Sequence, residues 1–179
     1  MLFSEVKLSY LKIITPIKLA PMKKILALSV FLLCSYCAFS QQPLFRYYNA
    51  KSRKHYYTTN FTEYGNGAAG WALDGPACLV YVNPVRRPGI IPLFRYANAQ
   101  NGDHYYTTQQ NGFDPGLQGY TPEGVSCFIY KFRQPGTVPF LKYYNRGTGD
   151  HFYTTNKHEL GRGFEGYVFV GVAGFVIPN

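Results

Sequence analysis

One sequence block occurs three times in this chain, and its spacing constrains the fold more than any other feature. The block reads Pro-x-x-[Arg/Lys]-Tyr-x-Asn followed by His-[Tyr/Phe]-Tyr-Thr-Thr, at residues 43–59, 92–108 and 139–155. The copies begin 49 and 47 residues apart. Such a period indicates repeated units that share one core, because a single unit cannot bury its own apolar face. We therefore predict a single domain over residues 41–179, with repeats at 43–91, 92–138 and 139–179.

Each repeat contains four short segments of strand character. In repeat two they are rich in aromatic and β-branched residues and cover residues 93–98, 104–108, 119–122 and 125–132. Gly102 and Gly149 lie between the first two segments, where a hairpin turn needs a positive φ. Repeat one has Arg53 at this place, so we expect its turn to differ.

Three such repeats predict an all-β fold, namely a β-trefoil built from three pseudo-symmetric four-stranded repeats. Six strands would close on themselves and three hairpins would cap one end, which removes exposed sheet edges. A small propeller or a solenoid is the alternative, although three blades are too few to close a propeller.

The first forty residues have a different character from the repeats. From Met22 the chain reads Met-Lys-Lys, and an apolar run follows over residues 25–33, with small residues shortly before Gln41. This pattern is typical of a secretory signal peptide cleaved before Gln41, and the run is too short to span a bilayer comfortably. We predict that residues 1–40 are an upstream extension and a signal peptide, with translation starting at Met22. The mature protein would then be secreted or periplasmic.

The net charge of the full sequence differs from that of residues 41–179, the part that would remain after signal-peptide cleavage. The full sequence has a formal charge of +9, but five of its lysines precede Gln41. Residues 41–179 carry 13 basic and 8 acidic side chains, and the basic ones are scattered. This argues against nucleic-acid binding, which needs a basic patch or stripe, and leaves weak attraction to an acidic polysaccharide or an anionic surface.

Two cysteines follow the predicted cleavage site, Cys78 and Cys127, at equivalent positions of repeats one and two. An oxidising compartment would permit a bond between them, provided that both lie near the pseudo-axis. Two buried thiols inside apolar strands are the alternative, and the sequence leaves both open.

The complete pattern resembles a known family. Repeat two reads Tyr96-Ala-Asn98, then Asp103-His104-Tyr-Tyr-Thr-Thr108, then Gly119-Tyr-Thr-Pro-Glu-Gly-Val-Ser126. This resembles a secreted three-repeat family known only as a domain of unknown function, with β-trefoil or lectin-like character. The resemblance implies an accessory module that attaches an extracellular protein to a surface or polymer.

Three departures limit what the resemblance implies. Repeat one has Lys54 where the other repeats have Asp103 and Asp150. Repeat three has Val170 where the others have Asp74 and Glu123, so only repeat two keeps both acids. The chain also lacks the Gln-x-Trp signature of ricin-type sugar-binding trefoils.

Catalysis has little support in the sequence. A hydrolase needs an activated nucleophile, a carboxylate pair or a metal. Residues 41–179 contain only two serines, Ser52 and Ser126, and carboxylates that are spread over the repeats. We therefore expect a protein that is not an enzyme and needs no cofactor.

The recurring histidines leave three interpretations open. His55, His104 and His151 are equivalent, so they could bond turn carbonyls, contact a ligand, or form a three-histidine metal site on the pseudo-axis. The aromatic and amide residues are equally ambiguous, because strand alternation puts half of the aromatics in the core and the asparagines precede turns. Exposed aromatic faces suit the C–H faces of sugars.

We predict a secreted, non-catalytic, lectin-like module that binds a glycan or cell-surface polysaccharide weakly at up to three equivalent sites, as a monomer. The candidate ligand-binding residues are Asn49, His55, Tyr57, Trp71, Asn98, Asp103, His104, Tyr106, Tyr120, Asn145, Asp150, His151, Tyr153 and Tyr167. The alternative is an extracellular protein-binding module, an inhibitor or adhesin, that uses the variable stretches 60–69, 109–118 and 156–165.

Overall fold

The computed structural model describes residues 41–84, 87–110, 118–161 and 163–179. The predicted extension and signal peptide lie outside these residues, as does most of the variable stretch 109–118. The described part is all-β, as predicted, and contains ten strands and one turn of 3-10 helix at Phe61–Glu63. The strands are β1 Gln41–Asn49, β2 Lys54–Thr58, β3 Gly67–Ala68, β4 Trp71–Tyr81, β5 Ile90–Ala97, β6 His104–Thr107, β7 Thr121–Tyr130, β8 Val138–Asn145, β9 Asp150–Thr154 and β10 Tyr167–Val176.

The strands pair in the same antiparallel pattern in each of the three repeats, which are called copies one, two and three from here on. The first strand of a copy (β1, β5 or β8) pairs with the second (β2, β6 or β9) and also with the last (β4, β7 or β10). The last strands of different copies then meet near their ends, through the pairs Tyr81 with Phe128, Tyr130 with Phe175 and Leu79 with Ile177. All these strands therefore belong to one antiparallel sheet.

The segments predicted as separate third and fourth strands form one strand. In copy two the predicted strands 119–122 and 125–132 are replaced by β7 alone. Its pairing with β5 shifts register twice, between Leu93 and Phe94 and between Arg95 and Tyr96. Such irregularities are bulges, which bend a strand without ending it. Pro122 and Gly124 therefore lie beside a bulge within one continuous strand and do not end it.

The turn between the first two strands is the same in all three copies, so the expected difference at Arg53 is wrong. The turn closes through Arg53 N–H to Asn49 O at 2.7 Å, and the bonds from Gly102 and Gly149 measure 2.8 and 2.7 Å. Arg53 has a φ of 57°, in the region occupied by the two glycines. A non-glycine residue at this φ carries a local strain that the rest of the turn tolerates.

Three tyrosines at the centre of the core form a closed ring of hydrogen bonds. Tyr57, Tyr106 and Tyr153 are each at most 1 % exposed. Every hydroxyl donates to the backbone oxygen of the next tyrosine, at 2.8–2.9 Å, and accepts from the same residue's N–H, at 2.7–2.8 Å. The ring runs from Tyr57 to Tyr153 to Tyr106 and back to Tyr57, with neighbouring ring planes nearly perpendicular.

This ring corrects the prediction that these three tyrosines contact a ligand. Their side chains are buried and their hydroxyls are fully engaged by backbone groups, so they offer no surface to a ligand. They instead join the core formed with Leu44, Val80, Leu93, Ile129, Phe140 and Val176.

Cys78 and Cys127 lie in the same core as free thiols. Burial raises the pKa of Cys127 to about 12 and also raises the pKa of Cys78. The third equivalent position is Gly174, where an added Cβ would lie 2.5 Å from the Ile129 side chain. The core therefore has no room for a third side chain at this level.

Candidate functional site

The predicted site residues of copies one and three meet in a buried hydrogen-bonded group. Asp150, which is fully buried, accepts from the backbone N–H of His55 at 2.8 Å and lies 2.6 Å from His55 Nδ1. Tyr167 donates its hydroxyl to the same carboxylate at 2.5 Å. A buried carboxylate is stable in a protein when its oxygens are satisfied in this way.

Copies two and three meet through a second group of the same kind. Asp103 accepts from the backbone N–H of His151 at 2.9 Å, lies 2.6 Å from His151 Nδ1, and accepts from the hydroxyl of Tyr120. Burial alone would raise the pKa of Asp103, but the hydrogen bonds and charge of His151 outweigh it and lower this pKa overall. In both groups the predicted residues come together. The aspartate and tyrosine of one copy bond the histidine of another copy, so the residues contact one another and not the solvent.

The third place lacks this group. The equivalent residues between copies one and two are His104, Lys54 and Trp71. The Lys54 ammonium does not approach His104 and instead donates to the backbone oxygens of Thr148 and Gly149, at 2.5 and 2.7 Å. As a result His104 Nδ1 is buried and has no hydrogen-bond partner among the described residues.

Lys54 itself is 2 % exposed. Burial lowers its pKa, while the negative charges of Asp103 and Asp150 oppose this shift. A third carboxylate here would add like charge to two buried ones, whereas an ammonium offsets them. This explains why copy one departs from the aspartate of the other copies.

His104 lies in an environment that disfavours its charged form. Burial lowers the pKa of His104, and the charge of Arg95 lowers it further, although the carboxylate of Glu123 opposes both. The Glu123 carboxylate is 3.8 Å from His104 Nε2, and the ring of Tyr56 packs edge-on at 4.7 Å between centroids.

Acidification from pH 7 to pH 5 should therefore destabilise the protein partly through His104. Because its pKa is lowered in the folded state, the unfolded chain binds a proton here first, as the pH falls through about 6.5. The stability that neutral His104 contributes is fully present above that pH. Below it, this contribution falls by at most about 1.4 kcal/mol per pH unit. Urea unfolding should show a smaller loss for His104→Asn than for the wild type. An equal loss in both proteins would contradict this.

The three predicted asparagines hold the hairpin turns. The side-chain oxygens of Asn49, Asn98 and Asn145 accept from backbone N–H groups two or three residues further on, at 2.9–3.1 Å. Each amide also lies against the glycine of the Gly-Trp or Gly-Tyr pair: a Cβ at Gly166 would be 3.3 Å from Asn145 Nδ2. This contact explains the glycine of the motif and gives the asparagines the turn-fixing role.

A surface groove of about 230 Å³ lies between copies one and two. It is lined by Thr58, Asn60, Glu63, Arg95, Glu123, Gly124, Val125 and Ser126. Hydroxyl, amide, carboxylate and guanidinium groups therefore converge on one concave surface. The predicted site residues are absent from this lining, although His104 lies directly behind Glu123.

A chain of polar contacts organises one wall of the groove. Arg95 donates from Nε to Glu123 at 2.6 Å and from an Nη to the hydroxyl of Tyr56 at 2.5 Å. That hydroxyl donates in turn to Glu63 at 2.7 Å. The guanidinium also lies over the Tyr56 ring, 4.9 Å from its centroid, which fixes its position from below.

Aromatic rings continue this wall away from the groove. Trp71 lies 5.5 Å from Tyr56 and 5.7 Å from Tyr64, measured between ring centroids. Trp71 and Tyr64 are partly exposed, whereas Tyr56 is buried. Of the predicted aromatic ligand residues, Trp71 is the one whose ring contacts Tyr56 of this wall, whereas Tyr120 and Tyr167 are bonded to buried aspartates.

The equivalent place between copies three and one carries direct ion pairs. Arg46 bonds Asp74 at 3.0 Å and also Glu159 at 2.8 Å. Glu159 additionally accepts from the hydroxyl of Thr154 at 2.5 Å. The difference arises because Phe152, the counterpart of Tyr56, has no hydroxyl to intervene between the arginine and the glutamate.

The sequence signal for this groove was present but incomplete. The Asp74, Glu123 and Val170 position was recognised as variable between copies, and Glu123 does line the groove. Arg95 and Glu63 were missed, because a basic residue recurs in every copy and Glu63 lies in a stretch of variable length. Only the three-dimensional packing brings the two together.

Among the described residues no group of three or more His, Cys, Asp or Glu side chains is placed to hold a metal ion. The three recurring histidines lie in separate groups, each beside a different copy's residues. No helix in the described ranges is long and apolar enough to cross a membrane.

Comparison with known proteins gives a family but no characterised relative. No curated protein and no solved structure matches the chain significantly. One family model matches residues 38–177, which is most of the chain. The chain therefore belongs to the family described as a domain of unknown function (DUF5648).

Proposed function

We propose that this protein is a secreted, non-catalytic, lectin-like module that binds carbohydrate. The groove between copies one and two carries this proposal. Its lining combines hydroxyl, amide and charged side chains around one concave surface, which suits a ligand whose own surface is mostly hydroxyl groups. The partly exposed indole of Trp71, next to Tyr56, is of a type that suits the C–H face of a sugar ring.

The groove favours binding over catalysis. Its two carboxylates, Glu63 and Glu123, are both held by the Arg95 and Tyr56 contacts. Among the described residues, no serine or cysteine is hydrogen-bonded to a histidine or carboxylate that could act as its base. Cys78 and Cys127 are buried, with raised pKa values that oppose formation of a reactive thiolate. Polar groups that are held in place by hydrogen bonds, with no activated nucleophile among them, are typical of ligand-binding sites.

The prediction of three equivalent sites becomes a proposal for one principal site with two altered counterparts. In the counterpart with Arg46 both carboxylates are bonded directly to the arginine, and the one with Val170 lacks the carboxylate that Glu123 supplies. A single weak site still gives useful retention when the polymer offers many copies of its ligand or when the module is one of several.

For the fold, the β-trefoil stays a prediction. The closed tyrosine ring and the matching strand pairing of the three copies support a threefold arrangement. Six strands that close on themselves, with three hairpins capping one end, would establish the trefoil. Three sheets that radiate separately from the tyrosine ring would favour the propeller-like alternative.

Binding to an array of glycans and insoluble polysaccharides tests the proposed function. We expect the purified protein to retain at least one polysaccharide, and Arg95→Ala to weaken this retention about tenfold, because it removes the group that orders the groove. Asp74→Asn, the counterpart of Glu123 in copy one, should bind like the wild type. Absence of binding to every glycan would overturn the proposal.

A protein-binding module is the second candidate, and an exposed apolar strip on β10 favours it. Val168, Phe169, Val170, Val172 and the neighbouring Phe164 are each between 45 % and 61 % exposed. Contiguous exposed apolar residues often mark protein contacts. Soluble sugars would compete with a glycan partner but would leave a partner bound at this strip in place.

A further inference from the structure

The groove between copies one and two has an unbalanced charge. Two carboxylates, Glu63 and Glu123, face one guanidinium, Arg95. The Arg95 Nε and one Nη are already committed to Glu123 and to the Tyr56 hydroxyl. Each glutamate uses one oxygen in these contacts, and its other oxygen accepts no hydrogen bond from the described residues. The groove therefore presents negative charge and free acceptors.

Among the described residues, the two counterparts of the groove lack this pair of free carboxylate oxygens. Between copies three and one the charge count is the same, but Arg46 bonds both carboxylates directly and Glu159 also accepts from Thr154. A single carboxylate oxygen there, on Asp74, accepts no hydrogen bond from the described residues. In copy three, Val170 replaces the glutamate of β7. Among the described residues, two free carboxylate oxygens therefore occur together in this groove only. Here the Tyr56 hydroxyl lies between the two side chains, accepting from Arg95 and donating to Glu63.

These features restrict the class of sugar that fits. Acidic sugars would meet the free carboxylates with like charge, and neutral sugars would satisfy the acceptors without balancing the charge. A sugar that carries a free ammonium beside its hydroxyls does both, through charge-assisted hydrogen bonds that are about twice as strong as neutral ones. The volume of about 230 Å³ lies below the roughly 300–1,000 Å³ of pockets for drug-sized ligands, so it suits one sugar residue.

We propose that this groove binds a hexosamine residue with a free amino group, with the ammonium between Glu63 and Glu123 and the hydroxyls on Thr58, Asn60 and Ser126. This inference rests on the proposed function and adds the sugar class. Non-specific attraction does not account for such binding, because residues 41–179 carry more basic than acidic side chains and repel cations overall.

Paired ligands that differ only in N-acetylation test the inference. The full chain is titrated calorimetrically with a β-1,4-linked glucosamine oligomer and with its fully N-acetylated counterpart, at physiological salt. We expect the free-amine oligomer to bind at least tenfold more tightly. Glu123→Gln and, separately, Glu63→Gln should reduce this preference to less than threefold, while Asp74→Asn should keep it. A melting curve for each variant verifies that the fold is intact.

The outcomes separate this inference from the proposed function. If neutral or N-acetylated oligomers bind as tightly as the free amine, the sugar class is wrong although carbohydrate binding stands. A preference that survives both glutamine variants would place the ammonium elsewhere and overturn the inference. If no glycan of any class binds, the proposed function fails and the inference fails with it.

Discussion

Replacing Tyr106 with phenylalanine should lower the free energy of unfolding by about 2–4 kcal/mol. The Tyr106 hydroxyl bonds both the N–H and the backbone oxygen of Tyr57, each at 2.8 Å, inside the core. Phenylalanine keeps the ring but leaves these two buried groups unsatisfied, and each such group costs about 1–3 kcal/mol. Urea denaturation, analysed with a common m-value, measures the change.

Tyr47→Phe is the matched control for this prediction. Its ring is buried, but its hydroxyl makes a single bond, to the backbone oxygen of the partly exposed Gly65 at 2.9 Å. We expect a loss of about 0.5–1.5 kcal/mol. If the two variants lose the same stability, the tyrosine ring contributes no more than an ordinary hydrogen bond.

Replacing Asp150 with alanine should cost about 3–5 kcal/mol, the largest effect that we expect from a polar residue. The change orphans the backbone N–H of His55, its imidazole and the hydroxyl of Tyr167, which all converge on this buried carboxylate. Removing one partner from a buried polar group is costly because the remaining partners stay desolvated. The midpoint of thermal or urea unfolding gives the measurement.

Asp74→Ala provides the comparison, since it removes a carboxylate that is 37 % exposed and pairs with Arg46 at the surface. Surface ion pairs contribute about 0–1 kcal/mol. A loss at Asp150 no greater than that at Asp74 would show that the buried group is not a principal link between copies one and three.

The sequence predicted the strand content well, because alternating aromatic and β-branched residues indicate strands wherever they occur. It failed at the boundary between residues 119–122 and 125–132, because the prediction leaves Glu123 and Gly124 outside both segments. Whether such residues end a strand or form a bulge depends on the partner strand, here β5. That information is tertiary and cannot be read from a local pattern.

The candidate residues show a similar limit. Recurrence identified His55, Asp150 and Tyr167 as a set, and the structure does bring them together. Recurrence alone does not show whether the set faces solvent or the neighbouring copy. Ligand binding and contact between copies would both require the same residues in every copy. The groove was harder to predict for the opposite reason: its properties depend on Tyr56, a position where the copies differ.

The closed ring of tyrosines has a consequence for how the chain can be cut and rejoined. The hydroxyl of each tyrosine bonds the backbone of one neighbour, and its own backbone is bonded by the hydroxyl of the other. The ring therefore has no first or last member. A stack of repeats can fray from its ends, whereas this ring loses a contact on both sides when any copy is removed. Two copies alone would leave the ring of hydrogen bonds open. Only the number of copies, and not the order in which the chain visits them, is constrained by the core.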